Sequence, residues 1–194
     1  MSEYRGDTKR NRQALFDALE TMLTESDRTL SVSEVAVAAS ISPATTYRYF
    51  GSMDGMLIAY RQEVITRFRR TREQLQTHGL DLLRDTCSLW VDIVLERGLA
   101  LAHARSREGY LARLNSGSSD LLEQERAVEP PLTEACEELG IANLGRVGLF
   151  IWSQIYDPRD VLDLKIALSL STAELKKRLL AALMSYLCAW HEAQ

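Results

Sequence analysis

Apolar residues recur at intervals of three and four along nearly the whole chain, and this helical period restricts the fold more than any other feature. Only 4 prolines interrupt the 194 residues, and no alternating run of Val, Ile and Thr lies between hairpin turns. We therefore predict an all-α fold. Because 46% of the residues are apolar, the chain can build one large core, or a small domain joined to a larger one.

The sequence lacks the usual signals of export, membrane insertion and metal binding. Its N-terminus is polar, and no uncharged apolar stretch is long enough to cross a membrane, so we expect a cytoplasmic protein. Cys87, Cys136 and Cys188 lie far apart among helix-forming residues, which favours buried thiols. The histidines are equally scattered, and we predict no metal site and no cofactor.

Capping signals mark a short helix that starts after residue 31. Ser31 and Glu34 have the spacing of a capping box, in which the serine hydroxyl accepts a backbone N–H and the glutamate carboxylate reaches back. We predict a helix over residues 32–39, followed by a break at Ser40 and Ile41.

A second short helix follows at once. Ser42 is placed to cap it, and Pro43 occupies the first helical position, where a missing N–H costs nothing. We expect this helix to run to Phe50 and to end at Gly51, after which Ser52 caps a long helix. Two helices of two turns, joined by about three residues, are the layout of a helix-turn-helix.

One further amphipathic helix precedes this motif, and its apolar stripe includes Leu15, Leu19 and Met22. We therefore predict a three-helix N-terminal helix-turn-helix domain over residues 1–51, joined to a larger helical domain over residues 52–194.

The distribution of charge allows the N-terminal third to face phosphate, although the net charge of the chain is −4. Residues 1–72 hold 11 lysines and arginines against 9 acids, whereas the remaining residues hold 12 against 18. The sign of the local charge decides which surface can meet nucleic acid. A solvated helix face that carries Arg67, Arg69 and Arg70 is the alternative explanation of this bias.

The stretch SVSEVAVAASISPATTYRYFGSMDGML resembles the signature of the tetracycline-repressor (TetR) family: an Ala-rich helix, a short turn, a Thr-Tyr recognition helix and a closing Phe. The segment WSQIYDPRDVLDLKIALSLSTAEL resembles one found in many actinobacterial members. The resemblance implies a bacterial, ligand-responsive transcription repressor. Such a protein binds a palindromic double-stranded DNA operator as a homodimer and is released by a small, largely apolar effector.

Two positions depart from the family pattern. Ser40 stands where Gly is usual in the turn, so it must adopt a positive φ if the turn keeps its shape. Met53 stands where a phosphate-binding Lys is usual, which leaves the backbone N–H groups of its helix to hold phosphate.

By position, the resemblance implies a set of DNA contacts. The base-facing residues are Pro43, Ala44, Thr45 and Tyr47, with Ser33 close to the groove, and the phosphate contacts are Arg48, Tyr49 and Lys9. Apolar groups suit thymine methyls, and hydroxyls suit bases or phosphate oxygens. Packing inside the domain is the alternative role for Tyr47 and Tyr49.

In the larger domain we expect helices at about 80–97, 99–115, 119–139, 143–156, 158–168 and 172–192. Two of them carry apolar residues on two sides, so that one side can meet a partner copy in a four-helix interface, as the resemblance also implies. The predicted interface residues are Leu144, Val147, Gly148, Ile151, Leu179, Leu183, Tyr186, Leu187 and Trp190.

For a ligand we name the large or polar residues on the expected inner faces, for which core packing is the alternative: Trp90, His103, Tyr110, Phe150, Trp152 and Tyr156. His103 and Arg107 are four residues apart and can meet an anionic ligand, although solvent exposure explains them equally well.

An enzyme and a helical interaction protein are the two alternative function classes. An enzyme needs a nucleophile, a base or a metal cluster, and acidic pairs such as Glu137 and Glu138 fall on charged helix faces, so we expect no enzyme. A helical interaction protein that keeps this fold but has lost DNA binding is the alternative that Ser40 and Met53 allow.

Overall fold

A computed structural model of the chain describes residues 2–25, 29–103 and 108–193. Ten helices and no strand occupy these ranges, which confirms the all-α fold. The helices are α1 (Ser2–Glu25), α2 (Val32–Ala38), α3 (Pro43–Phe50), α4 (Met53–Arg72), α5 (Gly79–His103), α6 (Tyr110–Asn115), α7 (Ser119–Leu139), α8 (Arg146–Ile155), α9 (Pro158–Ala167) and α10 (Thr172–Glu192). None of these described helices is both long and apolar enough to cross a membrane.

Side chains next to the helix ends define α2 and the turn after it. The Ser31 hydroxyl accepts a hydrogen bond from Glu34 N at 3.3 Å, and the Glu34 carboxylate accepts one from Ser31 N at 2.9 Å, so the predicted capping box forms. Ser40 has φ 56°, as predicted from the turn geometry. The turn therefore adopts a left-handed conformation at a serine instead of a glycine, at a modest conformational cost.

Residues next to α3 in the sequence also define where this helix begins and ends. The Ser42 hydroxyl accepts a hydrogen bond from Thr45 N at 3.2 Å, and Gly51 ends the helix with φ 72°. Ser52 caps α4 by accepting from Gly55 N at 3.0 Å. A Cβ atom on Gly55 would collide with the carbonyl oxygen of Phe50, so glycine allows α4 to start directly against the end of α3.

A small aromatic core holds the first helices together. The Phe16 ring of α1 lies 5.6 Å from the Phe50 ring and 5.7 Å from the Tyr60 ring of α4. Leu15 and Leu19 are fully buried beside it. Burial of these apolar groups fixes α3 against α1 and α4.

The predicted helix boundary at residue 98 is wrong, because α5 continues through Gly98 to His103. A Cβ atom on Gly98 would lie 2.7 Å from Leu162 Cδ1. This glycine therefore serves the close packing of α5 on α9 rather than the end of a helix. Of the helix expected at 99–115, only Tyr110–Asn115 is separate from α5.

The later helix starts agree with the sequence to within a few residues. Asp157 accepts a hydrogen bond from Arg159 N at 3.0 Å and begins α9 with Pro158. At the start of α10, Ser171 accepts a hydrogen bond from Glu174 N, as in a capping box, whereas the Glu174 carboxylate accepts from Arg178 and does not reach back.

Candidate functional site

The outer face of α3 presents side chains to solvent. Pro43, Ala44 and Arg48 are exposed, and Tyr47 keeps 47% of its surface accessible. On the inner face, Thr46 is fully buried and its hydroxyl donates to Ser42 O at 3.2 Å. The short helix is therefore anchored on one side and free on the other, as a groove-binding helix must be.

The other predicted DNA-contact residues surround this face. Ser33 is half-buried on α2, and Lys9 is exposed on α1. Thr45 is half-buried, and its hydroxyl oxygen lies 2.9 Å from the Ser42 hydroxyl. A base contact by Thr45 therefore requires its hydroxyl to rotate away from the cap.

Tyr49 has a packing role that its sequence position left open. Its ring makes an edge contact with Phe50 at 6.1 Å. A hydrogen bond with Asn11 of α1 is the main cause that lowers the pKa of Tyr49, and hydrogen bonds with Thr8 and Arg48 act in the same direction. Tyr49 thus joins α3 to α1, whereas Tyr47 has no such packing partner among the described rings.

Met53, at the start of α4, is half-buried and packs against the hydrophobic core. Arg12 of α1 lies with its guanidinium 5.4 Å from the centre of the Phe50 ring, near the same end of α3. The apolar side chain at position 53 therefore serves packing, where a lysine would reach out toward phosphate.

Most of the residues predicted for a dimer interface belong to the chain's own core. The six buried ones are Leu144, Gly148, Ile151, Leu179, Leu183 and Leu187. A Cβ atom on Gly148 would contact Leu132 of α7 at 3.6 Å, so this glycine faces its own chain. These six residues pack inside the single chain, so the surface left for the predicted interface comes mainly from the remaining residues.

The exposed side of α10 carries a different stripe, which we call the outer face of α10. Tyr186 is 51% exposed and Trp190 is 38% exposed, and their rings stack at 6.4 Å. Small residues at helical spacing complete this face: Ala181, Ala182, Ser185 and Ala189. Val147 of α8 is half-buried. Two predicted residues, Tyr186 and Trp190, thus remain on an apolar surface.

Five of the six predicted ligand residues line one cavity of about 660 Å³, a volume typical of ligand sites. They are Trp90, Tyr110, Phe150, Trp152 and Tyr156. The side chain of the sixth, His103, and the whole of Arg107 lie outside the described residues. The aromatic wall is compact, since the Trp152 ring lies 5.6 Å from Trp90 and stacks on Tyr156 at 5.3 Å.

Hydrogen bonds fix this aromatic wall. Trp90 Nε1 donates to the carbonyl oxygen of Tyr156 at 2.9 Å. Burial raises the pKa of the Cys87 thiol to about 12, although hydrogen bonds with Tyr156 and Trp152 act to lower it. The thiol is therefore neutral near pH 7 and acts as a packing group.

A buried ionic group supplies two charged residues of the cavity wall, Arg61 and Arg113. Asp120 of α7 is 2% exposed and accepts hydrogen bonds from Arg113 of α6 at 2.8 and 3.0 Å. Arg61 Nε of α4 lies 3.0 Å from the same carboxylate. Burial opposes ionisation of Asp120, but the Ser118 hydrogen bond and the two arginines hold its pKa below the usual value.

Sequence reasoning missed Arg61, Arg113 and Gln124, all of which line the cavity. One signal was present in the sequence. Gln124 lies on the buried stripe of α7 with Leu121 and Val128, where an unpaired polar side chain is costly. A polar residue inside an apolar stripe thus marked this wall, whereas the arginines looked like ordinary surface charges.

A second polar cluster joins the first helix to the larger region. Glu20 of α1 accepts a hydrogen bond from Tyr60 Oη of α4 at 2.7 Å and forms an ion pair with Arg97 of α5. The next residue on α4, Arg61, lines the cavity, as do Leu101 and Ala102 near the end of α5. The cavity wall and the contacts to α1 therefore share two helices.

Comparisons with known proteins agree with the sequence motif. Residues 23–60 match the family model of "Bacterial regulatory proteins, tetR family". The crystal structure of a Rhodococcus sp. protein assigned to the TetR-family transcriptional regulators superposes with a TM-score of 0.64 at 19% identity, covering 92% of this chain and 99% of that one. At this identity the likeness shows the fold. A comparison with curated proteins finds no significant match.

Proposed function

We propose that this chain, whose residues 23–60 match the family model of bacterial regulatory proteins of the tetR family, is a DNA-binding transcriptional regulator and acts as a homodimeric repressor. In this proposal it binds a palindromic operator and leaves it when a small, largely apolar effector enters the cavity. The exposed outer face of α3 is the observation that carries the proposal.

Operator recognition is assigned to α3. Its start is fixed by Ser42 and its end by Gly51, while Tyr47 and Arg48 remain in solvent. Pro43 and Ala44 can contact thymine methyls, and the Tyr47 hydroxyl can bond a base edge or a phosphate. Tyr49 contributes by holding α3 against α1, with a phosphate contact as a further role.

The homodimer is assigned to the outer face of α10. Tyr186 and Trp190 give this face large aromatic groups, which are enriched in interfaces, and the neighbouring alanines allow a partner helix to approach. Val147 of α8, which is half-buried, is proposed as a further contact. Twofold symmetry then sets two recognition helices about 34–36 Å apart, or a multiple of that distance.

Release by an effector uses the two shared helices. A ligand in the cavity contacts α4 at Arg61 and α5 at Leu101, and the same helices hold α1 through Tyr60 and Arg97. A ligand that fits one arrangement of these helices better than another shifts the spacing of the recognition helices. Coupling of this kind is typically about 1–3 kcal/mol and acts reciprocally, so operator DNA must weaken effector binding equally.

Selection of bound DNA from a random pool tests operator recognition. We expect a palindrome to be enriched, and Tyr47→Ala and Thr45→Ala each to weaken binding to it by about 1–3 kcal/mol in fluorescence anisotropy. Ile166→Ala, at a site in α9 that is 74% exposed, is the control and should bind normally. If no sequence is enriched, the chain is better described as a helical interaction protein of the same fold.

Sedimentation velocity tests the dimer. The double variant Tyr186→Glu and Trp190→Glu introduces charges on the outer face of α10 and should sediment as a folded monomer, with an unchanged helical circular dichroism spectrum. Wild-type protein that is monomeric at micromolar concentration, or a variant that stays dimeric, would contradict this interface.

A further inference from the structure

The polar wall of the cavity contains groups that lack a partner. Gln124 is 4% exposed, and its Oε1 atom has no hydrogen-bond partner among the described residues. The hydroxyl of Tyr110 is buried and is in the same state. Since buried polar groups are nearly always paired, both atoms point to a bound ligand: Gln124 Oε1 can only accept a hydrogen bond, whereas the Tyr110 hydroxyl can donate one to an anion.

Positive charge is in excess beside these two atoms. Arg61 and Arg113 share the single carboxylate of Asp120, and their side chains are only 20% and 14% exposed. Gln124 follows Asp120 by one turn of α7, so the unpartnered amide lies next to this group. Within the described part of the chain, Asp120 is the acceptor that contacts Arg61, and it does so through Nε. A guanidinium carries further N–H donors, so Arg61 can hold a second carboxylate at the same time.

The acids in the wall do not cancel this excess at Arg61. Asp157 lines the cavity and caps α9, and Glu108 lies exposed in the lining. Burial is the main cause that lowers the pKa of Arg61. Among the charges, attraction by Asp120 is followed by repulsion from Arg113, and Asp157 acts more weakly than either. The deep part of the wall therefore favours an anion.

The rest of the cavity suits a flat apolar group. Trp90, Phe150 and Trp152 line it, and aromatic side chains prefer stacked or edge contacts with other rings. An acid with a purely polar body would leave this wall without a matching surface, and a hydrocarbon would leave the buried Tyr110 hydroxyl unpaired.

We propose that the effector is a planar aromatic acid, whose ring packs on the aromatic wall and whose carboxylate accepts hydrogen bonds from Arg61 and from the Tyr110 hydroxyl. This inference rests on the proposed ligand response and gives its effector a chemical class. Charge-assisted hydrogen bonds from a guanidinium are about twice as strong as neutral ones, so the acid is distinguished from its neutral analogue by charge.

Isothermal titration calorimetry with naphthoate and naphthamide, substituted at the same ring position, measures this preference because the two probes share a shape and differ in charge. We expect the wild-type full-length protein to bind the acid at least about tenfold more tightly than the amide. In Arg61→Met the preference should vanish while the amide binds as before.

Arg69→Met is the matched control. Arg69 lies on the same helix, is 21% exposed and pairs with Glu123 of α7 at 2.6 Å, yet it does not line the cavity. It should keep the full preference for the acid. If Arg61→Met fails to fold by circular dichroism, Arg61→Lys keeps the charge and should retain a preference for the acid.

The outcomes separate this inference from the proposed function. An amide that binds as tightly as the acid, a preference that survives Arg61→Met, or binding of neither probe would overturn the aromatic acid. Acid-selective binding that leaves operator affinity unchanged would support the ligand class and contradict the proposed release from DNA. Release from the operator by the amide alone would support the proposed function and overturn this inference.

Discussion

The N-terminal helices α1–α3 and the larger region α4–α10 differ in how far apart in sequence their defining polar contacts lie. In the first, hydrogen bonds between residues three apart, such as Ser31 with Glu34 and Ser42 with Thr45, define where helices start. In the second, partners are more than fifty residues apart in sequence, as in the ion pair of Arg69 with Glu123. Capping residues that the sequence shows therefore define the helix starts of the first region, whereas contacts between distant residues define the packing of the second.

The two regions also differ in how they expose their helices. α3 keeps a single buried residue, Thr46, and presents the other side to solvent. α10 buries Leu175, Leu179, Leu183 and Leu187 in its own chain and leaves a separate aromatic stripe outside. An isolated amphipathic pattern does not say which of two apolar stripes meets the core, since both have helical spacing.

Loss of a buried leucine in α10 should have the largest effect on stability. Leu183 is fully buried, so Leu183→Ala leaves a cavity and should lower the free energy of unfolding by about 4 kcal/mol. Tyr186→Ala, one turn away on the outer face, should lower it far less at the same protein concentration. Urea unfolding measures both variants. Equal losses would mean that the inner and outer stripes of α10 are wrongly divided.

The next largest effect is expected at the ionic group of the cavity. Asp120→Asn leaves Arg61 and Arg113 without their shared carboxylate and should cost about 3 kcal/mol, the lower end for buried pairs because both arginines keep some exposure. Asp92→Asn, which breaks the more exposed pair of Asp92 with Lys176, should cost less than about 1 kcal/mol.

The effect of Asp120→Asn should depend on pH in one direction. Because the folded state lowers the pKa of Asp120, its contribution is complete above the ordinary aspartate pKa of about 4 and is lost as pH falls through the lower folded value. The difference in unfolding free energy between wild type and variant should therefore shrink in acid. A difference that is constant from neutral pH into acid would contradict a charge-based role for Asp120.

The sequence predicted the fold class and nearly every helix start in the first region, because capping residues act on neighbours that the sequence itself shows. The boundary at Gly98 was wrong for the opposite reason. Glycine commonly ends a helix, but here it makes room for Leu162, more than sixty residues further along the chain. Only the packed structure reveals which of these two uses a glycine has.

The residues of the candidate sites also fall into those that the sequence predicted and those that depend on partners distant in sequence. The aromatic residues of the cavity were predicted from helical faces, whereas Arg61 and Arg113 could not be, because their partner Asp120 comes from a third helix. The exposed face of α3 could be predicted from the helical spacing of its residues. The packing of Tyr49 on α1 did not follow, since Asn11 is far from it in sequence.

A substitution at the junction of the two regions should have a smaller effect on the free energy of unfolding. Tyr60→Phe removes the hydrogen bond to the Glu20 carboxylate and should lower the free energy of unfolding by about 1.5 kcal/mol, since the acceptor is charged. In this variant, the rate of amide hydrogen exchange should increase more in α1 than in α7, because α1 loses one of its contacts to α4. Exchange that rises equally in both helices would indicate general destabilisation instead of a role at the junction.

The smallest effect is expected at the cap of α3. Ser42→Ala removes the acceptor of Thr45 N and should cost about 1 kcal/mol of unfolding free energy, the usual value for an N-cap serine. Since α3 has little buried surface of its own, loss of the cap should also loosen its first turn, so operator affinity should fall together with stability. Ser42→Asp supplies a new acceptor and should restore stability, but its charge faces phosphate and should leave DNA binding weak. Urea unfolding and fluorescence anisotropy on the selected operator measure the two properties separately. If Ser42→Ala lowers neither, the start of α3 depends on tertiary packing, and the contrast between a locally defined region and a tertiary one fails at this helix.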